Sequence, residues 1–260
     1  MAYVYDVHCH IQQSPGSFDV LDTSAPGVLY CPQGTNYTDW ASVAELKDRF
    51  PDKIVPAFGL HPWFIEQVVS GEIPGSWATE LKDLIVRHNG TLGECGLDKV
   101  ARNPATNKQY PFEPQLALLK QQLALAHELD VPASLHCVKA YSELYSIVKS
   151  DTQALPPRIM LHSYSGSPDM LSQMFFKDEL AQRMYVSFSA AINGRNLDKT
   201  RACIKAVPLD RLLVESDLDD ARHTVEALDT VICLVADTHG MSVADAKVML
   251  ARNSQAFLGK

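Results

Sequence analysis

The sequence predicts an α/β chain whose parallel strands form a (β/α)8 barrel, and three observations carry that prediction. Short β-rich apolar runs alternate with longer amphipathic ones along most of the chain. About eight such units fit its length, the arithmetic of a barrel of roughly 250 residues. No Gly-rich phosphate fingerprint follows the first apolar run, which counts against the alternative of an open doubly wound sheet.

Strands are predicted at Tyr3–Val7, Val28–Tyr30, Ile54–Phe58, Thr91–Gly93, Ala133–Leu135, Arg158–Leu161, Met184–Phe188 and Arg211–Val214. The spacing between them predicts helices at Thr38–Arg49, Trp77–His88, Glu113–Glu128, Ala140–Ser150, Asp169–Leu180 and Leu197–Ala206. Thr38 and Asp169 stand where an N-cap would help, with Pro168 ahead of the second, and Ser242 caps a last helix over Val243–Ala256. Loops rich in Pro, Gly and Asn at 12–27, 99–111 and 189–196 should follow strands one, four and seven, on the face where barrels build their sites. No internal repeat or low-complexity tract interrupts this pattern, so one barrel domain is expected over residues 1–260.

A chain of 260 residues buries enough surface to fold without disulfides. Its six cysteines, at 9, 31, 95, 137, 203 and 233, are scattered and form no C-x-x-C pair. They read as reduced thiols of an intracellular protein, cytoplasmic or nuclear. The start MAYVYDVHCH carries no basic segment followed by an apolar one, and no apolar run reaches about eighteen residues. Neither a signal peptide nor a membrane span is therefore expected. The net charge of −8 argues against a broad electrostatic grip on duplex DNA, although bound cations would offset it locally.

Five of the nine histidines, His8, His10, His61, His136 and His162, fall at or just past predicted strand ends, as do Glu94 and Asp217. Residues two apart on a strand share a face, so His8 and His10 point together while Cys9 points away. A barrel gathers its strand ends at one mouth, and imidazoles mixed with carboxylates suit Zn²⁺, Mn²⁺ or Fe, and less naturally Mg²⁺ or Ca²⁺ alone. Singly, each has a plainer reading: an H-x-H is weak, the acids could be surface or capping groups, and His61 could be a satisfied turn residue. Their shared topological position is what makes a metal site the better account. His88, His127, His223 and His239 lie on predicted helices or a late loop and are expected on the solvated surface. The cysteines, Cys95 beside Glu94 included, are expected to pack, and Trp63 and Phe64 either line a pocket or join the core.

Taken in order, D-V-H-C-H at Asp6–His10, G-L-H-P at Gly59–Pro62, G-E-C-G-L-D at Gly93–Asp98, P-A-S-L-H-C at Pro132–Cys137, H-S-Y-S-G at His162–Gly166 and L-L-V-E-S-D at Leu212–Asp217 resemble the TatD family of metal-dependent hydrolases, within the amidohydrolase-like superfamily. The resemblance covers nearly the whole chain. It implies a TIM-type barrel with two divalent ions (Zn, Mn or Mg) at the carboxyl ends of its strands. It assigns His8, His10 and Asp217 to one ion, His136 and His162 to the other, and Glu94 as the bridge. Glu94, Asp217 and His61 become the catalytic set, with Asp217 accepting a proton from the attacking water and His61 near the scissile group. Glu215, one step deeper on the last strand, would orient a ligand.

The family's activity makes a 3′–5′ exonuclease-like phosphodiesterase acting on single-stranded DNA or oligonucleotide ends the first expectation. Two alternatives stand beside it: a hydrolase of small phosphoesters, amides or lactones using the same two ions, and a non-catalytic interaction protein. Three departures from the family pattern bear on substrate. The proline-rich segment that follows the last acid in relatives is missing, since Leu218–Arg222 leads into a helix-like stretch. Trp63 follows G-L-H-P, and Lys99 replaces the aromatic residue that often follows G-L-D.

Overall fold

The computed structural model describes residues 4–23, 27–150 and 152–259. Tyr3, at the head of the first predicted strand, and residues 24–26 of the first predicted loop lie outside that range. Eight strands are present among the described residues: β1 (Val4–Cys9), β2 (Val28–Pro32), β3 (Ala57–Phe58), β4 (Thr91–Asp98), β5 (Ala133–Val138), β6 (Ile159–Leu161), β7 (Met184–Ser189) and β8 (Leu212–Glu215). They pair in parallel as two sheets, β1–β2 and the six-stranded β3–β8. The eight predicted runs are therefore all strands, in the predicted order.

Backbone bonds connect the two sheets at both seams. Tyr30 bridges Ile54 and Gln33 bridges Ala57 between β2 and β3. At the other seam, Asp217 N–H donates to His8 O at 3.1 Å and His10 N–H to Leu218 O at 2.8 Å. The Asp6 carboxylate accepts from Ser216 N (2.8 Å) and Ser216 Oγ (2.6 Å), satisfying groups that a longer ladder would otherwise pair.

Alternation along the strands separates core from site. Leu135 and Cys137, Val186 and Phe188, and Leu212 and Val214 join the large apolar cluster with helix residues such as Leu119, Leu144, Ile204 and Val231. The intervening residues are Ser134 and His136, Ser187 and Ser189, and Leu213 and Glu215, so polar groups cluster toward the carboxyl ends. The cysteines pack as expected: five are buried, Cys95 in the apolar cluster, and Cys233 is exposed.

β4 departs most from expectation. The predicted strand stops at Gly93, yet the observed one runs on to Asp98. Gly93 and Gly96 adopt φ of 150° and 152°, and both let neighbouring groups approach closely. A Cβ at Gly96 would lie 1.9 Å from His136 O, and one at Gly93 2.3 Å from Gln33 Oε1. The glycines here continue a strand instead of ending one. In the third run only Ala57–Phe58 forms a ladder, because Pro56 has no N–H to contribute.

The helices differ mainly at their ends. The predicted Thr38 cap fails: the helix spans Trp40–Arg49, while Thr38 bonds to Asn36 Oδ1 and Asp39 accepts from Thr35 N and Asn36 N. Asp169 is not the cap of its helix either; Ser167 accepts from Met170 N at 3.2 Å, with Pro168 in the first position. The predicted helix to Leu180 is instead a short turn that widens into a π-turn over Leu171–Phe175 and ends. Its buried positions, Leu171, Phe175 and Leu180, are spaced four and then five apart, out of step with an α-helix. The stretch after Arg222 is a full helix, Thr224–His239, and Ser242 caps the last one, Val243–Leu258, accepting from Asp245 N at 3.1 Å. No single helix among the described residues is long and apolar enough to cross a membrane.

Gly96→Ala should lower the unfolding free energy by more than about 2 kcal/mol, since it combines an unfavourable φ with a backbone clash. Gly75→Ala, which meets nothing within 4 Å, should change it by less than about 0.5 kcal/mol. Urea denaturation of both variants checks the contrast.

Candidate metal centre

All seven predicted site residues meet at the carboxyl ends of the strands. His8 and His136 lie within β1 and β5, and His10, His61 and His162 follow β1, β3 and β6 closely. Asp217 lies two residues past β8, at a φ of 56°. Glu94 is placed from mid-strand, where the bulge of β4 presents it to the centre.

Glu94 is 3% exposed and ringed by imidazoles. Its Oε2 lies 3.4 Å from both His8 Nε2 and His10 Nε2. Its Oε1 lies 3.2 Å from His61 Nε2, 3.0 Å from His136 Nδ1 and 2.9 Å from His162 Nε2. Asp217 Oδ1 completes the first side, 3.8 Å from His8 Nε2 and 3.6 Å from His10 Nε2. Several triads, among them His8–His10–Asp217 and His8–Glu94–His162, hold donor atoms within 4.8 Å of one another, close enough to share a cation.

Hydrogen bonds behind the ring set which nitrogen faces inward. His8 Nδ1 meets Ser134 Oγ at 2.9 Å, while its buried Nε2 has no hydrogen-bond partner. Burial and the neighbouring His162 lower the His8 pKa, which favours a neutral ring whose Nε2 faces the centre. A divalent cation fits that orphaned atom. His10 Nδ1 reaches Gln33 O at 3.4 Å, again freeing Nε2. His162 Nδ1 lies 3.3 Å from Glu215 Oε1, and this fully buried carboxylate also accepts from Ser163 Oγ at 2.6 Å and from Ser187 Oγ. Glu215 therefore holds His162 from behind.

Charge compensates charge across the cluster. Burial raises the Glu94 pKa, but the surrounding histidines outweigh it and hold the carboxyl well below its usual range. Burial likewise opposes protonation of His162, and Glu94 with Glu215 overcomes it, raising that pKa well above 6.5. His10 and His136 are also raised against the effect of burial, by Asp217 with Glu94 and by Asp98 with Glu94. His61 differs: burial lowers it to about 4. Its Nδ1 accepts from Trp63 N at 3.3 Å, so the neutral ring carries its proton on Nε2, toward Glu94.

A cavity of about 660 Å³ opens over the cluster, lined by Trp63 and Phe64 among others. Asp98 lines it too and was not singled out from the sequence. Its Oδ2 accepts from Trp63 Nε1 at 2.9 Å and lies 3.3 Å from His136 Nε2, fixing both rings. Its place in G-E-C-G-L-D, two same-face steps after Glu94, was the available signal. Ser134 had a similar one, two residues before His136, whereas Ser163 had none. Of the four outlying histidines, His127 and His223 are exposed as expected. His88 instead tucks in and pairs with Asp48 at 3.3 Å, and His239 is half-buried.

The family model for TatD related DNase matches residues 5–259. The chain is similar to Cut9-interacting protein scn1 of Schizosaccharomyces pombe, 27% identical with 99% of each chain covered. It is also similar to a 3'-5' ssDNA/RNA exonuclease TatD of Edwardsiella piscicida, 30% identical over 71% of this chain and 65% of that protein. In fold it resembles the Escherichia coli TatD homolog YjjV, with a TM-score of 0.79 at 23% identity, covering 100% of this chain and 99% of that one. Matched along nearly its whole length, the chain belongs to the TatD-related DNase family of metal-dependent hydrolases.

Proposed function

We propose that the protein is a phosphodiesterase that shortens single-stranded DNA or RNA from the 3′ end with two divalent cations, Zn²⁺, Mn²⁺ or Mg²⁺. His8, His10 and Asp217 would hold one ion, His136 and His162 the other, and Glu94 would bridge them. The observation that carries this reading is the division of labour within Glu94. Its Oε2 faces His8 and His10, while its Oε1 faces His136 and His162. The 3′-5′ ssDNA/RNA exonuclease named among the relatives supports the choice of substrate.

The bound cations would acidify a water and neutralise charge developing on the phosphoryl group. Asp217, held ionised against the effect of burial by the bond from His10 and the nearby imidazoles, would be the carboxylate placed to take the water's proton. His61 keeps its single N–H on Nε2, 3.2 Å from Glu94 Oε1; with cations taking up that carboxylate, the N–H would be free to donate to a phosphoryl oxygen. Glu215 keeps His162 oriented, and Asp98 keeps His136 oriented.

A 5′-labelled single-stranded oligonucleotide should be shortened only with added divalent metal, and Glu94→Ala should reduce kcat/KM by at least about 100-fold. Turnover of small esters alone, with the oligonucleotide intact, would redirect the function to small substrates.

Metal binding should also release protons, because His10, His136 and His162 hold raised pKa values that a cation must overcome. Raised histidines stay protonated above the usual imidazole range, so apparent affinity should climb as pH rises past 6.5. Calorimetric titration in buffers of different ionisation enthalpy reads this directly. Heats independent of buffer would show that these histidines are already neutral before the cation binds, contrary to their raised pKa values.

A further inference from the structure

We propose that Trp63 is the platform on which the terminal nucleobase of a single-stranded substrate stacks. The inference rests on the nuclease reading above and adds the group that selects the substrate's end. Three tryptophans are present; Trp40 and Trp77 are 2% and 7% exposed, whereas Trp63 is 49% exposed. An exposed tryptophan is commonly mobile, but this one is pinned. Its Nε1 donates to Asp98 Oδ2 at 2.9 Å, and its backbone N–H donates to His61 Nδ1 at 3.3 Å. Its ring stands edge-on to His61 at 4.8 Å and to His136 at 6.1 Å.

A large flat apolar surface is thus fixed against the residues proposed to hold and attack the phosphoryl group, and it is open to the cavity. Because the side chain is already ordered, stacking on it costs little further rotamer freedom. The cavity's charge points the same way. Among the described residues no lysine or arginine lines it, while Glu94, Asp98 and Asp217 do. Within the cavity, recognition beyond the cations therefore falls to ring faces and apolar walls such as Val100 and Ile192. Stacking tolerates every base, since each presents a π-face. The platform therefore distinguishes a nucleotide end from one lacking its base, not one sequence from another.

Two readouts test this on the metal-supplemented protein. In the first, deoxyadenosine monophosphate is titrated against intrinsic tryptophan fluorescence. The expected result is quenching in the wild type, none with deoxyribose 5-phosphate, and none in Trp63→Phe, where Trp40 and Trp77 still emit. In the second, kcat/KM is compared for an oligonucleotide with a normal 3′ end and one whose last residue is abasic. The wild type should prefer the normal end by about 10- to 100-fold. Trp63→Ala should bring that ratio near one, and Trp63→Phe, which keeps a ring but loses the bond to Asp98, should retain it. Equal quenching in Trp63→Phe, or an unchanged ratio in Trp63→Ala, would overturn the proposal. If the wild type shortens neither oligonucleotide, the nuclease reading falls by itself, and the quenching still decides whether Trp63 receives a base.

Discussion

A carboxylate removed from water must find charge or hydrogen bonds to replace what it lost, and the cost of failing to do so is several kcal/mol. Glu94 sits under this constraint at the mouth of the strands, 3% exposed, with five imidazoles within 3.4 Å of its oxygens. Those imidazoles can be there because four different strand ends or exits, those of β1, β3, β5 and β6, converge on one point. The constraint reaches into the backbone as well. β4 must bulge to aim Glu94 inward, and Gly93 and Gly96 let Gln33 and β5 approach the bulge. The raised pKa values of His10, His136 and His162 favour protons that offset this charge, and divalent cations would do so in their place.

Around that centre lies a set of hydrogen bonds whose effect is directional. Ser134 and Gln33 turn His8 and His10 so that Nε2 faces inward, while Asp98 turns His136 so that Nδ1 does. Glu215, itself satisfied by Ser163 and Ser187, does the same for His162. Rings fixed in this way need little rearrangement to take a cation, which is how a preorganised site gains affinity. The same bonds tie the site to the substrate side, since Asp98 anchors both His136 and Trp63. The acidic overall charge, and a cavity with no lysine or arginine among its described lining residues, count against a broad electrostatic grip on duplex DNA.

Much of this was legible in the sequence, for identifiable reasons. Eight strands could be found because short β-branched runs alternate with amphipathic ones, and His8, His10, Glu94, His136, His162 and Asp217 could be found because each sits at or near the end of such a run. Asp98 escaped because a glycine was read as the end of β4, when a glycine can equally mark a close approach within a strand. Ser163 could not have been found: its hydroxyl reaches Glu215 from a residue with φ of 40°, a backbone state that local sequence does not announce here. The cap residues erred by one or two positions, since Asn36, Asp39 and Ser167 compete for the same backbone donors. The π-turn at Leu171–Phe175 arises from how Leu171 and Phe175 pack, which is tertiary information.

The account stands or falls on two cations sharing Glu94. The most direct measurement is anomalous diffraction from crystals of the Mn²⁺-reconstituted protein. The account predicts two peaks about 4 Å apart or less, one beside His8, His10 and Asp217, one beside His136 and His162, with Glu94 between them. A single peak away from Glu94, or no peak within this cluster, would contradict it.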